Sequence, residues 1–274
     1  MKRLRLHFCL LLSLLFAAGA AHAAATRFIE RSVTLQGASY RYQVFVPDGW
    51  TAKRRWPVVL FLHGSGERGS DDRAQLSQGL PPWLSEHGAG FGAVVVIPQA
   101  PQNTYWNGPV ERMALLALQQ SIAEFHGDRR RLYLTGLSMG GYGVWQIALD
   151  HPGMFAAAAV VCGGIRHPND GDDLYVQGIP AGTADPYAWV AARIGKLPSW
   201  IFNGAADDVV PPAESHRMRA ALQARGVEVR YTEYPGVGHG AWPMAYATAQ
   251  LWPWMFSHRL AHAPRGKLVA AAGR

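Results

Sequence analysis

The chain has 274 residues, 49% of them hydrophobic, 16% charged and 11% aromatic, a balance that excludes a disordered chain and a coiled coil. That length can bury a large core without disulfide staples. The formal net charge is +7, but Lys2, Arg3 and Arg5 at the start and Arg259, Arg265, Lys267 and Arg274 at the end account for all of it, so a nucleic-acid-binding core finds no support.

In chain order, the basic start precedes an apolar run, Phe8 to Ala20, and then Ala21-His22-Ala23. This is the layout of a signal peptide over 1–23 cleaved after Ala23, with a second frame at Ala25 and a retained anchor as the alternative. No apolar run is long enough to span a bilayer comfortably. The mature protein is therefore expected to be secreted or periplasmic, with its domain over 24–257 and a basic, disordered tail over 258–274. Cys9 leaves with the signal, and Cys162, in an apolar run, reads as a small buried hydrophobe.

Tyr40, Tyr42, Val44 and Val46 alternate, predicting a strand within 34–46 that pairs in a hairpin with residues 27–35. Val58–Leu62, Val94–Ile97, Leu132–Thr135, Ala156–Val161 and Trp200–Phe202 are continuous apolar runs, as expected of strands buried on both faces. Val227–Tyr231 is a sixth strand. Helical spacing predicts helices over Met113–Phe125, Met139–Leu149, Glu214–Arg225 and Ala241–Phe256, the last interrupted near Pro253. Strands alternating with helices imply a mainly parallel α/β sheet with helices on both faces. The stretch 163–197 breaks the alternation and reads as a small cap insertion with a short helix near 186–194. In such a sheet, chemistry belongs at the carboxyl ends of the strands.

Four loops at those ends carry candidate residues. Gly136-Leu137-Ser138-Met139-Gly140 follows a strand and opens a helix, the context in which Ser138 is a candidate nucleophile held on a sharp turn at a helix N-terminus. His63-Gly64-Ser65-Gly66-Glu67-Arg68 follows another strand. Its glycines, Gly64 and Gly66, let backbone approach a substrate, and the Ser65 N–H, or that of Gly66, would join the Met139 N–H in an oxyanion hole. His63 reads as a structural ring beneath the site, and Glu67 with Arg68 as a loop-fixing ion pair or a substrate contact. Asp207, ahead of Asp208, is the candidate acid, and His239, between Gly238 and Gly240, the candidate base. No histidine pair has a metal-ligand spacing, so neither a catalytic metal nor a cofactor is expected.

Taken together, Leu62-His63-Gly64-Ser65-Gly66-Glu67-Arg68-Gly69, Gly136–Gly143, Gly204–Pro211 and Gly238-His239 resemble the α/β-hydrolase superfamily. Within it they are similar to an exported esterase and "predicted peptidase" group related to feruloyl-esterase-like and polyhydroxybutyrate-depolymerase-like carboxylesterases. The resemblance runs from about Trp56 to Trp254. It implies the α/β-hydrolase fold and a triad of Ser138, His239 and Asp207, with one departure: Phe202-Asn203-Gly204 where relatives often read Phe-His-Gly. The expected activity is hydrolysis of small carboxylic esters through an acyl-enzyme. A serine peptidase and a non-catalytic binding protein are the other readings. Trp106, after the fourth strand at the edge of the site, is a candidate substrate-stacking residue with simple packing as the alternative, and Trp83, Trp189 and Trp242 are further candidates for a pocket wall, with core packing as theirs.

Overall fold

The computed structural model describes residues 28–166, 174–264, 266, 268 and 269. The proposed signal peptide and the middle of the 163–197 insertion lie outside them.

The strands are β1 (Phe28–Leu35), β2 (Ala38–Phe45), β3 (Trp56–Leu62), β4 (Val94–Pro98), β5 (Gly127–Leu137), β6 (Ala157–Val161), β7 (Ser199–Gly204) and β8 (Val229–Tyr234). They form one sheet in the order β1-β2-β4-β3-β5-β6-β7-β8. β1 and β2 are an antiparallel hairpin, β2 pairs antiparallel with β4, and every later pairing is parallel. Every residue of β3, β4, β6 and β7 is buried, which is why their sequences run apolar without alternation. β8, at the edge, is only half-buried.

Helices cover both faces. α2 (Gly108–Glu124), α3 (Met139–Asp150), α4 (Pro186–Arg193) and α5 (Pro212–Ala224) share one core with Val58, Leu60, Leu134 and Val160. On the other face α1 (Leu80–His87), α6 (Trp242–Tyr246) and α7 (Leu251–Ser257) pack on Val59, Phe61, Tyr133 and Val161.

Several boundaries differ from the sequence expectations. α1 was not anticipated, because Pro81 and Pro82 look like breakers, yet the first turn needs no N–H donor from them. For the same reason α2 starts at Gly108, with Pro109 in its first turn. The last helix divides at 247–250, and Pro253 sits inside the first turn of α7. β5 begins early, with the polar run Asp128–Arg131 where the register against Trp56 and Val58 shifts. The described part of the expected free tail is seated on the body. Leu260 N–H donates to the Arg130 carbonyl, Leu268 N–H donates to Gln119, and Leu268 and Val269 are buried. Its buried Leu268 and Val269 and the ion pair of Arg259 with Asp128 both hold it there.

Candidate active site

Residues 62–64, 137–139, 161–163, 204–207 and 237–239 all lie at the carboxyl edge of the parallel strands, where connecting loops converge. Ser138 joins β5 to α3 with φ 52° and ψ −120°, a left-handed conformation costly for a residue with a Cβ. Hydrogen bonds hold it there: its N–H donates to Val161 C=O at 2.9 Å, and Gly141 N–H donates to Ser138 C=O at 2.7 Å. The flanking glycines are required by space. A Cβ on Gly136 would lie 2.4 Å from the Gly140 carbonyl oxygen, and one on Gly140 would lie 2.0 Å from that of Leu62. The turn therefore seats the serine hard against the end of β3.

Ser138 Oγ lies 2.8 Å from His239 Nε2, and His239 Nδ1 lies 2.9 and 3.1 Å from the two oxygens of Asp207. Asp207 is 4% exposed. Burial opposes its charge, but the His239 hydrogen bond, the Val210 and Val209 N–H donors and the imidazole's charge outweigh that and hold the carboxyl below its usual range. Of the two neighbouring carboxylates, it is Asp207 that the fold brings to His239. Behind it stands Asn203, buried, whose amide donates to the Gly204 and Val210 carbonyls and reaches Asp207 Oδ2 at 3.4 Å, while Ser215 Oγ donates to Asn203 Oδ1 at 2.8 Å. The Asn203 position, read only as a departure, is thus the strut of the acid loop.

The His63–Glu67 loop is fixed from beneath. Ala100 N–H donates to His63 Nε2 at 3.0 Å, His63 Nδ1–H donates to Gly64 C=O at 2.6 Å, and Trp106 Nε1–H donates to His63 C=O at 2.9 Å. These partners set the neutral tautomer, and burial, then the charge of Arg68, drive the ring's pKa down to about 4 against the pull of the Gly64 carbonyl. Glu67 is buried and accepts Gly64 N–H at 2.9 Å. Arg68 donates instead to the Ser65 and Thr104 carbonyls and lies over Tyr105. The expected Glu67–Arg68 pair is therefore replaced by two separate anchors, because backbone groups reach each side chain first.

The loop approaches Ser138 closely: a Cβ on Gly64 would lie 3.6 Å from that of Ser138. Ser65 and Gly66 are exposed above it. Met139 opens α3, so its N–H has no acceptor within the helix. Ser65 N–H and Met139 N–H are both free of hydrogen bonds within the described residues.

Trp106 is corrected. It is 1% exposed and set edge-on against His63 at 4.9 Å, so it has no face to offer a substrate. Its position after a strand suggested the edge of the site, but the ring folds under the His63–Glu67 loop. Trp83 packs among Phe91, His87 and Trp252, and Trp189 stacks with Arg193. Trp242 does stand at the site: it meets the His239 ring edge-to-face at 5.5 Å, and its Nε1–H donates to Gln78 at 2.9 Å.

Two residues that sequence reasoning did not connect to the site adjoin it. Cys162 is buried with φ 48°, and its Sγ lies 3.3 Å from the His239 carbonyl. Burial, then the charge of Asp207, push its thiol up to about 12. Its sulfur and the Asp207 and His239 ligand atoms lie within 4.8 Å of one another. A metal there would have to break the Asp207–His239 hydrogen bond and ionise a thiol that resists ionising. Glu214 accepts the Ile165 and Arg166 N–H groups and the Tyr187 hydroxyl, tying the loop after β6 to α4 and α5. No residue type at these positions announces such roles, since both depend on the approach of distant loops.

The model of the prolyl oligopeptidase family matches residues 114–259, just over half of the chain. The chain is 24% identical over 209 residues to a probable feruloyl esterase C of Aspergillus terreus, covering 73% of this chain and 76% of that one. It is 26% identical to a poly(3-hydroxyoctanoate) depolymerase of Pseudomonas fluorescens, with 77% of each chain covered. Among solved structures, a thermostable esterase superposes with a TM-score of 0.67 at 29% identity, over 85% of this chain and 63% of that chain, so this chain spans less than two thirds of it. The eight-stranded, mainly parallel sheet and these likenesses agree on the α/β-hydrolase fold.

Proposed function

The chain belongs to the prolyl oligopeptidase family, and from that premise we propose that it is an exported serine hydrolase that cleaves carboxylic esters. The observation that carries the reading is the unbroken relay from Ser138 Oγ through His239 to the ionised Asp207, at 2.8 and 2.9 Å.

In the proposed reaction His239 Nε2 takes the Ser138 proton as Oγ attacks the ester carbonyl. Nδ1–H stays donated to Asp207, whose charge stabilises the imidazolium that forms. The carbonyl oxygen becomes an oxyanion, received by the Ser65 and Met139 N–H groups, which need no reorganisation because the loop beneath Ser65 is already fixed. The imidazolium then gives its proton to the departing alkoxide, leaving the acyl group on Ser138. A water, deprotonated by the same Nε2, releases the acid.

Export rests on the signal-like segment 1–23. The feruloyl esterase and esterase relatives support small acyl or aryl esters as substrates. The family's name keeps amide hydrolysis as the second reading. Hydrolysis of p-nitrophenyl acetate, butyrate and octanoate, methyl ferulate and a peptide anilide, beside Ser138→Ala, tests both. Ester turnover that disappears in the variant is expected. Turnover of the anilide alone would replace the esterase with a peptidase, and turnover of none would leave a binding protein.

A further inference from the structure

The end of the sheet opposite the candidate active site is strongly basic. A groove of about 480 Å³ there is lined by Arg55, Arg129, Arg130, Arg131 and Arg259, with Asp128 as its one carboxylate. Lys53 and Arg54 lie just before Arg55 and are exposed. Asp128 is already committed to Arg131 at 2.9 Å and Arg259 at 3.0 Å.

Each guanidinium has five donors, and few are used inside the protein. Arg55 donates to the Gly127 carbonyl, Arg129 to that of Gly266, Arg130 to that of Leu260, and Arg131 to that of Arg55. These bonds hold the arginines side by side despite their mutual repulsion, and Arg129 Nε has no partner among the described residues. Five cations fastened around one acid are a poor device for stability and a good one for binding anionic oxygens.

Chain direction selects the partner. β1 is antiparallel to β2, and β2 is antiparallel to β4, so β1 runs in the direction of the parallel strands and Phe28 lies toward their amino-terminal ends. The chain therefore enters the fold from the arginine end, shortly after the apolar run Phe8 to Ala20 and the cations Lys2, Arg3 and Arg5. The segment read as an export signal is thus joined to the fold at the arginine end, opposite the edge that carries Ser138.

We infer that the amino-terminal end of the sheet is a docking surface for anionic phospholipid headgroups, centred on Arg55, Arg129 and Arg259. Docking there orients the opposite edge, with Ser138, toward substrates in the aqueous phase. The surface is separate from the ester chemistry, so the two stand or fall independently.

The test is co-sedimentation of the protein from Ala24 onward with vesicles of phosphatidylcholine alone and of phosphatidylcholine with phosphatidylglycerol in equal parts. Binding to the anionic vesicles only, lost in high salt, is expected. Replacing Arg55, Arg129 and Arg259 together by Gln should weaken it roughly a hundredfold, about fivefold per cation, with p-nitrophenyl butyrate turnover unchanged. Replacing the same three by Lys keeps the charge and should keep most of the binding, which separates attraction from any effect on folding. Equal binding to both vesicle types, or equal loss in the Gln and Lys triples, would overturn the inference. So would tighter retention on DNA or an acidic polysaccharide than on the anionic vesicles.

Discussion

A Cβ placed on Gly204 would lie 2.2 Å from the carbonyl oxygen of Gly238 and 2.3 Å from that of Val237. The strand that delivers Asp207 and the loop that delivers His239 thus meet backbone to backbone, and the Ala206 N–H donates to Val237 C=O at 2.9 Å beside that contact. Gly204→Ala should push the two loops apart. The expected result is a loss of ester turnover on the order of a hundredfold, the cost of misplacing a reacting group by about an ångström, with a stability loss of about 1–3 kcal/mol from overpacking. Steady-state kinetics with p-nitrophenyl butyrate and urea melts measure both. A fully active variant would mean that the loops are aligned by other contacts.

Asp207→Asn separates charge from shape. An amide oxygen can still accept the Val209 and Val210 N–H groups, which now donate to Oδ1 at 3.0 and 2.8 Å, so the loop should keep its form. What is lost is the negative charge that fixes the His239 tautomer and stabilises the imidazolium. Turnover should fall roughly 10⁴-fold while the folded state persists by circular dichroism. A loss below tenfold would remove Asp207 from the relay.

How much of this was legible in the sequence follows from how local each signal is. Ser138 announces itself because its strained turn needs Gly136 and Gly140 on either side and lies between a buried strand and a helix. Asp207 and His239 are readable from chain order and strand ends. Cys162 and Asn203 are not, since the first gains its place from the His239 loop and the second from Ser215, each far off in the chain. Trp106 could be read either as a stacking face or as packing, because a position at a strand end does not say whether a ring turns outward or, as here, beneath His63. The arginines at 129–131 were hidden by an overall charge balance that carries no information on where charges gather.

Glu67 should matter through the backbone it holds. It is the side-chain acceptor for the buried Gly64 N–H, next to the proposed Ser65 donor. Glu67→Ala leaves that N–H without an acceptor, at about 1–3 kcal/mol, and frees the turn that aims Ser65. The kcat for p-nitrophenyl butyrate should drop by up to the roughly 10²–10³ that one oxyanion donor supplies, with KM little changed. Glu67→Gln retains an acceptor and should stay within a few-fold of the parent. Equal activity in all three proteins would show that the loop needs no such anchor.

His63 predicts a pH dependence of stability whose sign can be worked out. In the unfolded chain its ring titrates near the ordinary 6.5, whereas burial, foremost, and Arg68 hold it at about 4 in the fold. Between those values the unfolded chain binds a proton that the folded chain refuses, so stability falls as pH falls through that window and the contribution is complete above about 6.5. The full shift corresponds to about 3 kcal/mol. Protonation would also set an N–H on Nε2 against the Ala100 N–H that now donates to it. Urea melts at pH 7 and pH 4.5 should therefore show a smaller pH-dependent loss in His63→Asn than in the parent, even though the variant starts less stable at pH 7. The same loss in both proteins would assign the acid sensitivity to the carboxylates instead.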